Sequence, residues 1–156
     1  FGFSPDMICF GKAIANGHPL ASLVGKEEIR KAAERVYFTG TQFFSAPPMA
    51  AAIATLNELE KVDAPTKLID YGKKLNARLE EVASEKGFNL VSSGVPSMPY
   101  YRLEGKSFET HIKWIDECVK RGVYMLSYHN HFISLAHKEE DIDFIESAAR
   151  QAFESL

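Results

Sequence analysis

Cysteine and long apolar runs are both scarce in this sequence. The 156 residues contain only two cysteines, Cys9 and Cys118, which lie far apart and have no CxxC partner. This pattern excludes a disulfide-stapled fold and is typical of a reducing compartment, so we expect a cytoplasmic protein. No apolar run approaches the roughly 20 residues that span a bilayer, and no signal-like segment opens the chain. The sequence therefore predicts no membrane contact.

A large excess of one charge is also absent. The chain carries 18 Lys and Arg residues against 21 Asp and Glu residues, and its formal net charge is −3. Because the two signs are interspersed, there is no basic surface of the kind that binds nucleic acid. Hydrophobic residues make up 46% of the chain, which is ordinary for a globular domain with a sizeable core.

Residues 1–62 predict the end of one domain. The run Met7–Phe10 predicts a short buried strand, and an Ala-rich stretch predicts a long helix over Ala46–Lys61. We expect the Ser45 hydroxyl to cap that helix and the Asp63 side chain to cap the next one. A domain joint is therefore expected at residues 63–65.

Residues 63–156 predict a small α/β domain in which helices cover a small sheet. Three helices are indicated by apolar residues at helical spacing. These residues are Leu68, Leu75, Leu79 and Val82, then Phe108, Ile112, Ile115 and Val119, and finally Ile142, Ile145, Ala149 and Phe153. Gly87 and Gly122 are expected to end the first two helices, and the last is expected over residues 139–155. Four short strands are predicted at residues 88–93, 98–103, 123–128 and 132–136.

Lys12 is the first candidate for chemistry. It lies between an apolar run and the tripeptide Ala13-Ile14-Ala15, where an ammonium group would be poorly solvated. Such an environment favours a nucleophilic amine, which can form a Schiff base with a carbonyl compound. The alternative interpretation is that Lys12 extends into solvent from a turn.

Three histidines near the end of the chain are the next candidates. His129 and His131 would share one face of a strand, but no third ligand or acidic cluster accompanies them, so we expect no metal site. Contacts to a substrate pocket and ordinary, partly buried histidines remain as alternatives. His137 is expected to form hydrogen bonds at a strand-to-helix corner.

Three segments resemble class III aminotransferases, which depend on pyridoxal phosphate (PLP). The family's PD, GK and G-x-P patterns are present here as Pro5-Asp6, Gly11-Lys12 and Gly17-His18-Pro19. Residues 39–56 resemble the loop and Ala-rich helix near the cofactor phosphate, and residues 133–145 resemble the C-terminal strand and helix. Within the family, the likeness points to the branch around glutamate-1-semialdehyde aminomutase and related sugar or polysaccharide-pathway aminotransferases.

The resemblance implies roles for three residues. Lys12 matches the lysine that forms the internal aldimine, a Schiff base, and that later moves a proton between substrate and cofactor. Gly40 and Thr41 match a Gly-Thr pair whose amide and hydroxyl approach the PLP phosphate, which in this family belongs to the partner subunit. The alternative for Thr41 is a turn hydroxyl that bonds to its own backbone.

The resemblance also implies a fold and an assembly. The fold is the C-terminal part of a fold-type I PLP-dependent transferase. Residues 1–62 would end the large PLP-binding domain, and residues 63–156 would form the small C-terminal domain. A homodimer with shared active sites would transfer an amino group from a small-molecule donor to an aldehyde or keto acceptor.

Some parts of the family's site precede the lysine in its members. They are an aspartate at the pyridine nitrogen, an aromatic residue stacked on the ring and a Gly/Ser-rich turn at the phosphate. This chain begins Phe1-Gly2-Phe3, without an initiator methionine and without those parts. We therefore expect a fragment of a longer enzyme that is inactive by itself.

Three departures from the family pattern bear on the substrate. Residues 43–46 read FFSA where many relatives read SGNP, and Lys138 replaces the threonine that follows His137, which removes a helix cap. Residues 127–132 lack the acidic residue found in most relatives that act on glutamate semialdehyde. We therefore expect a transaminase of another aldehyde or ketone. The alternative is a non-catalytic interaction domain that retains the family's packing.

Overall fold

Each half of the chain contains one antiparallel β-hairpin. The computed structural model describes residues 2–156, and its contacts divide the chain into a unit that ends at Val62 and a unit from Asp63 to Leu156. Over the described range, no helix has the length and apolar character needed to cross a bilayer.

The first unit combines a hairpin with two helices. Strands β1 (Met7–Phe10) and β2 (Ser22–Gly25) pair in antiparallel register, with Met7 opposite Gly25. A single 3₁₀ turn (Lys12–Ala15) lies between them and packs against the long helix α2 (Ala46–Lys61). The shorter helix α1 spans Glu27–Ala33. The predicted bounds of the first strand and of the long helix are therefore confirmed.

Two finer expectations for the first unit are wrong. Strand β1 is exposed along its whole length, because no described part of this unit covers the hairpin. Ser45 does occupy the N-cap position of α2, but its hydroxyl makes no capping hydrogen bond. The two prolines that follow Ser45 in the first turn, Pro47 and Pro48, have no N–H group to be capped.

The second unit has three helices around its hairpin. Its elements are α3 (Ala64–Glu85), β3 (Asn89–Ser93), β4 (Tyr100–Glu104), α4 (Phe108–Lys120) and α5 (Glu139–Glu154). Strands β3 and β4 are antiparallel, with Leu90 opposite Leu103. Helix α5 packs against both α3 and α4, so the three helices close over one hydrophobic core.

The predicted ends of the second unit's helices are largely confirmed. Gly87 adopts a φ of +77°, and the next N–H, that of Phe88, donates to the Ala83 carbonyl at 2.9 Å, which ends α3. Gly122 ends α4 in the same left-handed conformation, with a φ of +89°. Asp63 stands at the N-cap of α3, but its side chain makes no cap, because its own backbone is left-handed at a φ of +49°.

Aromatic stacking fills the centre of the second unit's core. The Trp114 ring lies 5.1 Å from the Phe153 ring, and Phe153 in turn lies 5.0 Å from Phe88. Trp114 is fully buried and Phe153 is 3% exposed. The stack thus joins α4, α5 and the turn before β3 in one cluster.

The predicted inner face of α4 is partly wrong. Ile115 is buried as expected, but Phe108 and Val119 are 45% and 41% exposed. The buried face is instead formed by His111, Trp114, Ile115 and Cys118. The large Trp114 ring occupies the core, which turns the helix so that Phe108 lies outside, with the Arg102 guanidinium 4.9 Å from its ring centre.

The two strands predicted at residues 123–128 and 132–136 do not form. The segment passes beside the loop that precedes β4, where His131 N–H donates to the Pro99 carbonyl at 2.8 Å and Ile133 N–H donates to the Ser97 carbonyl at 2.9 Å. Those two bonds do not extend into a ladder, so the segment remains irregular. The same loop lies close against α3, because a Cβ added at Gly72 would come within 2.0 Å of the Pro96 oxygen.

The expected loss of a cap on the last helix is compensated. Lys138 is the N-cap residue of α5, and its backbone N–H donates to the Asp141 carboxylate at 2.7 Å. A carboxylate three residues into a helix is one half of a capping box. The Lys138 N–H at the start of α5 is therefore satisfied by the side chain of Asp141, whereas the side chain of Lys138 caps nothing.

Substitutions at Leu79 and Val119 test the observed core. Leu79 is 1% exposed on α3, so L79A should lower the free energy of unfolding by about 3 kcal/mol. V119A removes atoms from an exposed position and should cost less than about 1 kcal/mol. Urea unfolding followed by circular dichroism measures both. Equal costs would show that Val119 lies in the core after all.

Candidate functional site

Lys12 has an unusual backbone conformation. Its φ is +51°, in the left-handed region that residues with a Cβ rarely adopt. The turn is fixed by packing, because Ala15 at its end is fully buried and the turn contacts α2. Strain of this kind persists only where the surroundings enforce it, and it is concentrated at functional sites.

The Lys12 side chain lies free of the rest of the described chain. The expectation that it is poorly solvated is wrong for residues 2–156, because Lys12 is exposed and no described apolar group encloses it. Within that range its ammonium has no ion-pair or hydrogen-bond partner. By contrast, Lys26 of the same unit pairs with Asp6 at 2.7 Å. Exposure agrees with the turn interpretation, and the absence of a partner leaves the amine available for reaction.

Gly40 and Thr41 lie in the exposed loop between α1 and α2. The Gly40 carbonyl accepts the Phe43 N–H at 3.0 Å, and a Cβ added at Gly40 would meet nothing within 4 Å. The Thr41 hydroxyl makes no hydrogen bond to any residue in the range 2–156, so the turn bond proposed as its alternative role is not found. The loop thus presents a free hydroxyl beside open space.

Aromatic residues flank this Gly-Thr pair in the sequence of the loop. Phe43 contacts Phe38 and Phe44 edge to face, at ring distances of 5.0 and 4.6 Å. Tyr37 and Phe44 are 92% and 80% exposed, so these rings cover no core in the first unit. Within the described range, no hydrogen bond joins Lys12 to Thr41.

A separate cavity of about 380 Å³ lies within the second unit. Its walls are mainly apolar, with Leu75, Leu79 and Ile133 among them, and His129 and His131 also line it. His131 is half-buried and its ring bonds to the backbone of its own segment, whereas His129 is exposed. Both histidines thus line the cavity, and His131 is also a partly buried, hydrogen-bonded residue.

His137 forms hydrogen bonds, as predicted. The Ser134 N–H donates to its Nδ1 at 3.0 Å, in the turn that leads into α5. The segment before this turn is irregular, so the corner joins a loop to a helix.

Burial removes the Cys118 thiol and the His111 ring of α4 from solvent. Burial raises the pKa of the Cys118 thiol to about 12, and a protonated thiol is a poor nucleophile. His111 is fully buried, and burial lowers its pKa. Its Nε2 donates to the Ser127 carbonyl at 3.2 Å, and its Nδ1 has no partner among the described residues. Sequence reasoning missed His111, because the face predicted for α4 excluded it.

Known proteins resemble the chain along almost its full length. Aminopentol aminotransferase from Sphingopyxis macrogoltabida is 37% identical over 156 residues, which cover 99% of this chain and 37% of the relative. A glutamate-1-semialdehyde 2,1-aminomutase from Methanosarcina acetivorans is 30% identical over 158 residues, which cover 92% of this chain and 37% of the relative. The chain thus spans about 37% of the length of these relatives.

A solved structure extends the similarity to the fold. The PLP internal aldimine form of the Sphingopyxis sp. MTA144 FumI protein matches with a TM-score of 0.94 and 37% identity, over 99% of this chain and 37% of that one. The predicted fold class, part of a PLP-dependent transferase with small sheets and covering helices, is thereby confirmed. The aminotransferase class-III family matches residues 1–143. The chain belongs to the class III aminotransferase family.

Proposed function

We propose that this chain is the Lys12-bearing part of a PLP-dependent aminotransferase. The observation that carries the proposal is the strained, exposed and unpaired Lys12. It lies in the Gly11-Lys12 motif that resembles the family's cofactor-lysine segment. In this proposal residues 1–62 end the PLP-binding domain and residues 63–156 form the small domain. The two free cysteines, Cys9 and Cys118, favour a cytoplasmic location.

The donor groups of the first unit fit PLP. The aldehyde of PLP condenses with a primary amine, and Lys12 offers one that no described residue engages. The PLP phosphate accepts hydrogen bonds from short donors, and the Thr41 hydroxyl is unpaired beside the open space at Gly40. When bound, PLP supplies an electron sink that stabilises negative charge on the amine-bearing carbon of a substrate.

Lys12 would then have two roles. Its Nζ would hold the cofactor between turnovers, and during turnover the same Nζ would act as a general base and acid. It would take a proton from the amine-bearing carbon of the donor. In the second half of the reaction it would deliver a proton to the carbon of the acceptor that receives the amino group. The enforced turn at residues 12–15 positions that amine, because its packing against α2 fixes where the side chain starts.

We infer that the Gly40-Thr41 loop serves the site of a second copy in a homodimer. The loop is exposed, and within the described range no hydrogen bond joins it to Lys12 of the same chain. Its aromatic residues support an interface, because Tyr37, Phe38 and Phe44 are 92%, 72% and 80% exposed. Exposed apolar patches of this kind mark protein contact surfaces.

The substrates would be a small-molecule amino donor and an aldehyde or keto acceptor. Residues 127–132 contain no Asp or Glu, which favours amino transfer over the glutamate-semialdehyde aminomutase reaction. One relative at 37% identity is named an aminopentol aminotransferase, which agrees with a substrate other than glutamate semialdehyde.

Borohydride labelling of the full-length enzyme tests the role of Lys12. Incubation with PLP should give an absorbance band at the visible edge of the ultraviolet, and borohydride should abolish the band and fix the cofactor on the peptide that contains Lys12. K12R keeps the charge but loses the reactive amine, so borohydride should fix no label on the peptide that contains residue 12. K26R changes a lysine that is paired with Asp6 and serves as the matched control.

Label spread over several lysines, or equal label in K12R, would contradict the enzyme proposal. A protein that binds no PLP would favour the non-catalytic interaction domain.

The positive φ at residue 12 predicts that lysine lowers the stability of the turn while it supplies the amine needed for function. Glycine adopts positive φ without steric cost, so K12G should be more stable than K12A by about 1 kcal/mol in free energy of unfolding. Both variants lose the amine, so both should lack the covalent cofactor. Urea unfolding of the pair measures the difference. Equal stability would show that residue 12 carries no backbone strain.

A further inference from the structure

One side chain closes a short loop at the cavity of the second unit. The loop comprises residues 126–131, and the Leu126 N–H donates to His131 Nε2 at 3.1 Å. The other ring nitrogen, Nδ1, donates to the Pro99 carbonyl at 3.3 Å. Because Nε2 must offer a lone pair to an N–H, the two bonds together require a neutral imidazole with its hydrogen on Nδ1.

The other attachments of the loop do not require a neutral ring. The Ser127 carbonyl accepts from the Tyr100 hydroxyl and from His111 Nε2, both at 3.2 Å. His111 donates through Nε2–H whether its ring is neutral or charged. The His131 backbone N–H donates to the Pro99 carbonyl at 2.8 Å independently of its side chain. A proton on His131 therefore removes the bond to Leu126 and leaves these others in place.

His137 shows why the geometry at His131 is special. The His137 Nδ1 also accepts a backbone N–H, that of Ser134, at 3.0 Å. However, the hydroxyl and carbonyl oxygens of Ser134 both lie 3.2 Å from the same nitrogen. A charged His137 ring can donate to either oxygen, whereas a charged His131 ring would direct Nε2–H at the Leu126 N–H.

The surroundings of His131 disfavour its charged form. Burial lowers the pKa of His131, the bond to Pro99 opposes that shift, and His129 on the same loop lowers the pKa further. Among the described residues, other ionisable groups near it are Tyr101 of β4, whose ring lies 5.3 Å away, and His111 of α4. Tyr124 and His137 line the same cavity.

Charges farther out do not pair with the His131 ring. Arg102 of β4 lowers the pKa of His111, and Glu80 of α3 raises the pKa of Tyr101. Neither is among the groups that shift the pKa of His131. Helix α5 lines the same cavity with the apolar side chain of Ile145, which carries no charge. Among the residues that the structure describes, no carboxylate bonds to His131. A protonated ring would thus be left without a counter-charge.

The loop also forms part of the cavity wall, through Leu126, His129, Asn130 and His131. We propose that the 126–131 loop is a pH-sensitive flap in the wall of this cavity, closed by the Leu126–His131 bond while His131 is neutral and loosened at Leu126 when His131 takes up a proton. The inference concerns the second unit alone and does not depend on the proposed role of Lys12.

The pH range follows from the direction of the shift. Since the pKa of His131 is lower in the folded chain than the ordinary value of about 6.5, the closed form is fully stabilised above about pH 6.5. That stabilisation is lost as the pH falls below 6.5 through the pKa of the folded state, because the open loop binds the proton more readily.

Amide hydrogen exchange of Leu126, corrected for the intrinsic rate, tests the flap. We expect its protection factor to fall by about tenfold between about pH 8 and about pH 5, which corresponds to the loss of one hydrogen bond. The amide of Ala149, in the core of α5, should remain protected over the same range, which distinguishes local opening from unfolding. Constant protection of Leu126 would overturn the proposal.

Three variants separate His131 from its neighbours. H131Q offers a side-chain oxygen in place of Nε2 and does not titrate, so Leu126 should stay protected at both pH values. H131F has no acceptor, so its Leu126 amide should exchange fast at both. H129Q removes the exposed histidine of the same loop, so the pH dependence should remain, with its midpoint moved to slightly higher pH. A parent-like pH dependence in H131Q would contradict the flap.

The tautomer provides a readout in the unmodified protein. Imidazole nitrogen chemical shifts at about pH 8 should show His131 with its hydrogen on Nδ1. A hydrogen on Nε2 would overturn the proposal whether or not the variants fold.

Discussion

The stack of Phe153 on Trp114 and Phe88 is the interaction on which the second unit depends. Its rings lie 5.1 and 5.0 Å apart and come from α5, from α4 and from the turn before β3. A two-stranded hairpin is at best marginally stable in water, so these helices supply the layer that it lacks. With that layer in place, the loop before β4 is fixed, and the segment that contains His131 can bond to it.

No comparable core exists in the described part of the first unit. Its hairpin is exposed on both strands, and its aromatic loop packs mainly against itself. What this unit does fix is the turn at Lys12, through the buried Ala15 and the contact with α2. A unit that holds a reactive turn firmly and leaves its apolar groups uncovered suits an enzyme whose site is completed by other parts of the assembly.

Local signals in the sequence predicted much of the fold. Glycines at positions 87 and 122 end helices because they adopt the left-handed conformation that a helix C-terminus favours. The bounds of α2 agree with the Ala-rich run at both ends. The motifs around Lys12 predicted the family. Tertiary contacts decided the rest: burial of Trp114 set the face of α4, and β-prone residues 123–136 found no strand to pair with. The solvation of Lys12 likewise depends on what surrounds it in space, which its sequence neighbours do not determine.

In the proposed enzyme, Lys12 and the Gly40-Thr41 loop act in one site formed by two copies of the chain. A crystal structure of the full-length protein with PLP would test this arrangement. We expect continuous density from Lys12 Nζ to the cofactor, with the partner subunit's Thr41 hydroxyl bonded to its phosphate. PLP held by another residue, or a phosphate bound only within one subunit, would contradict it.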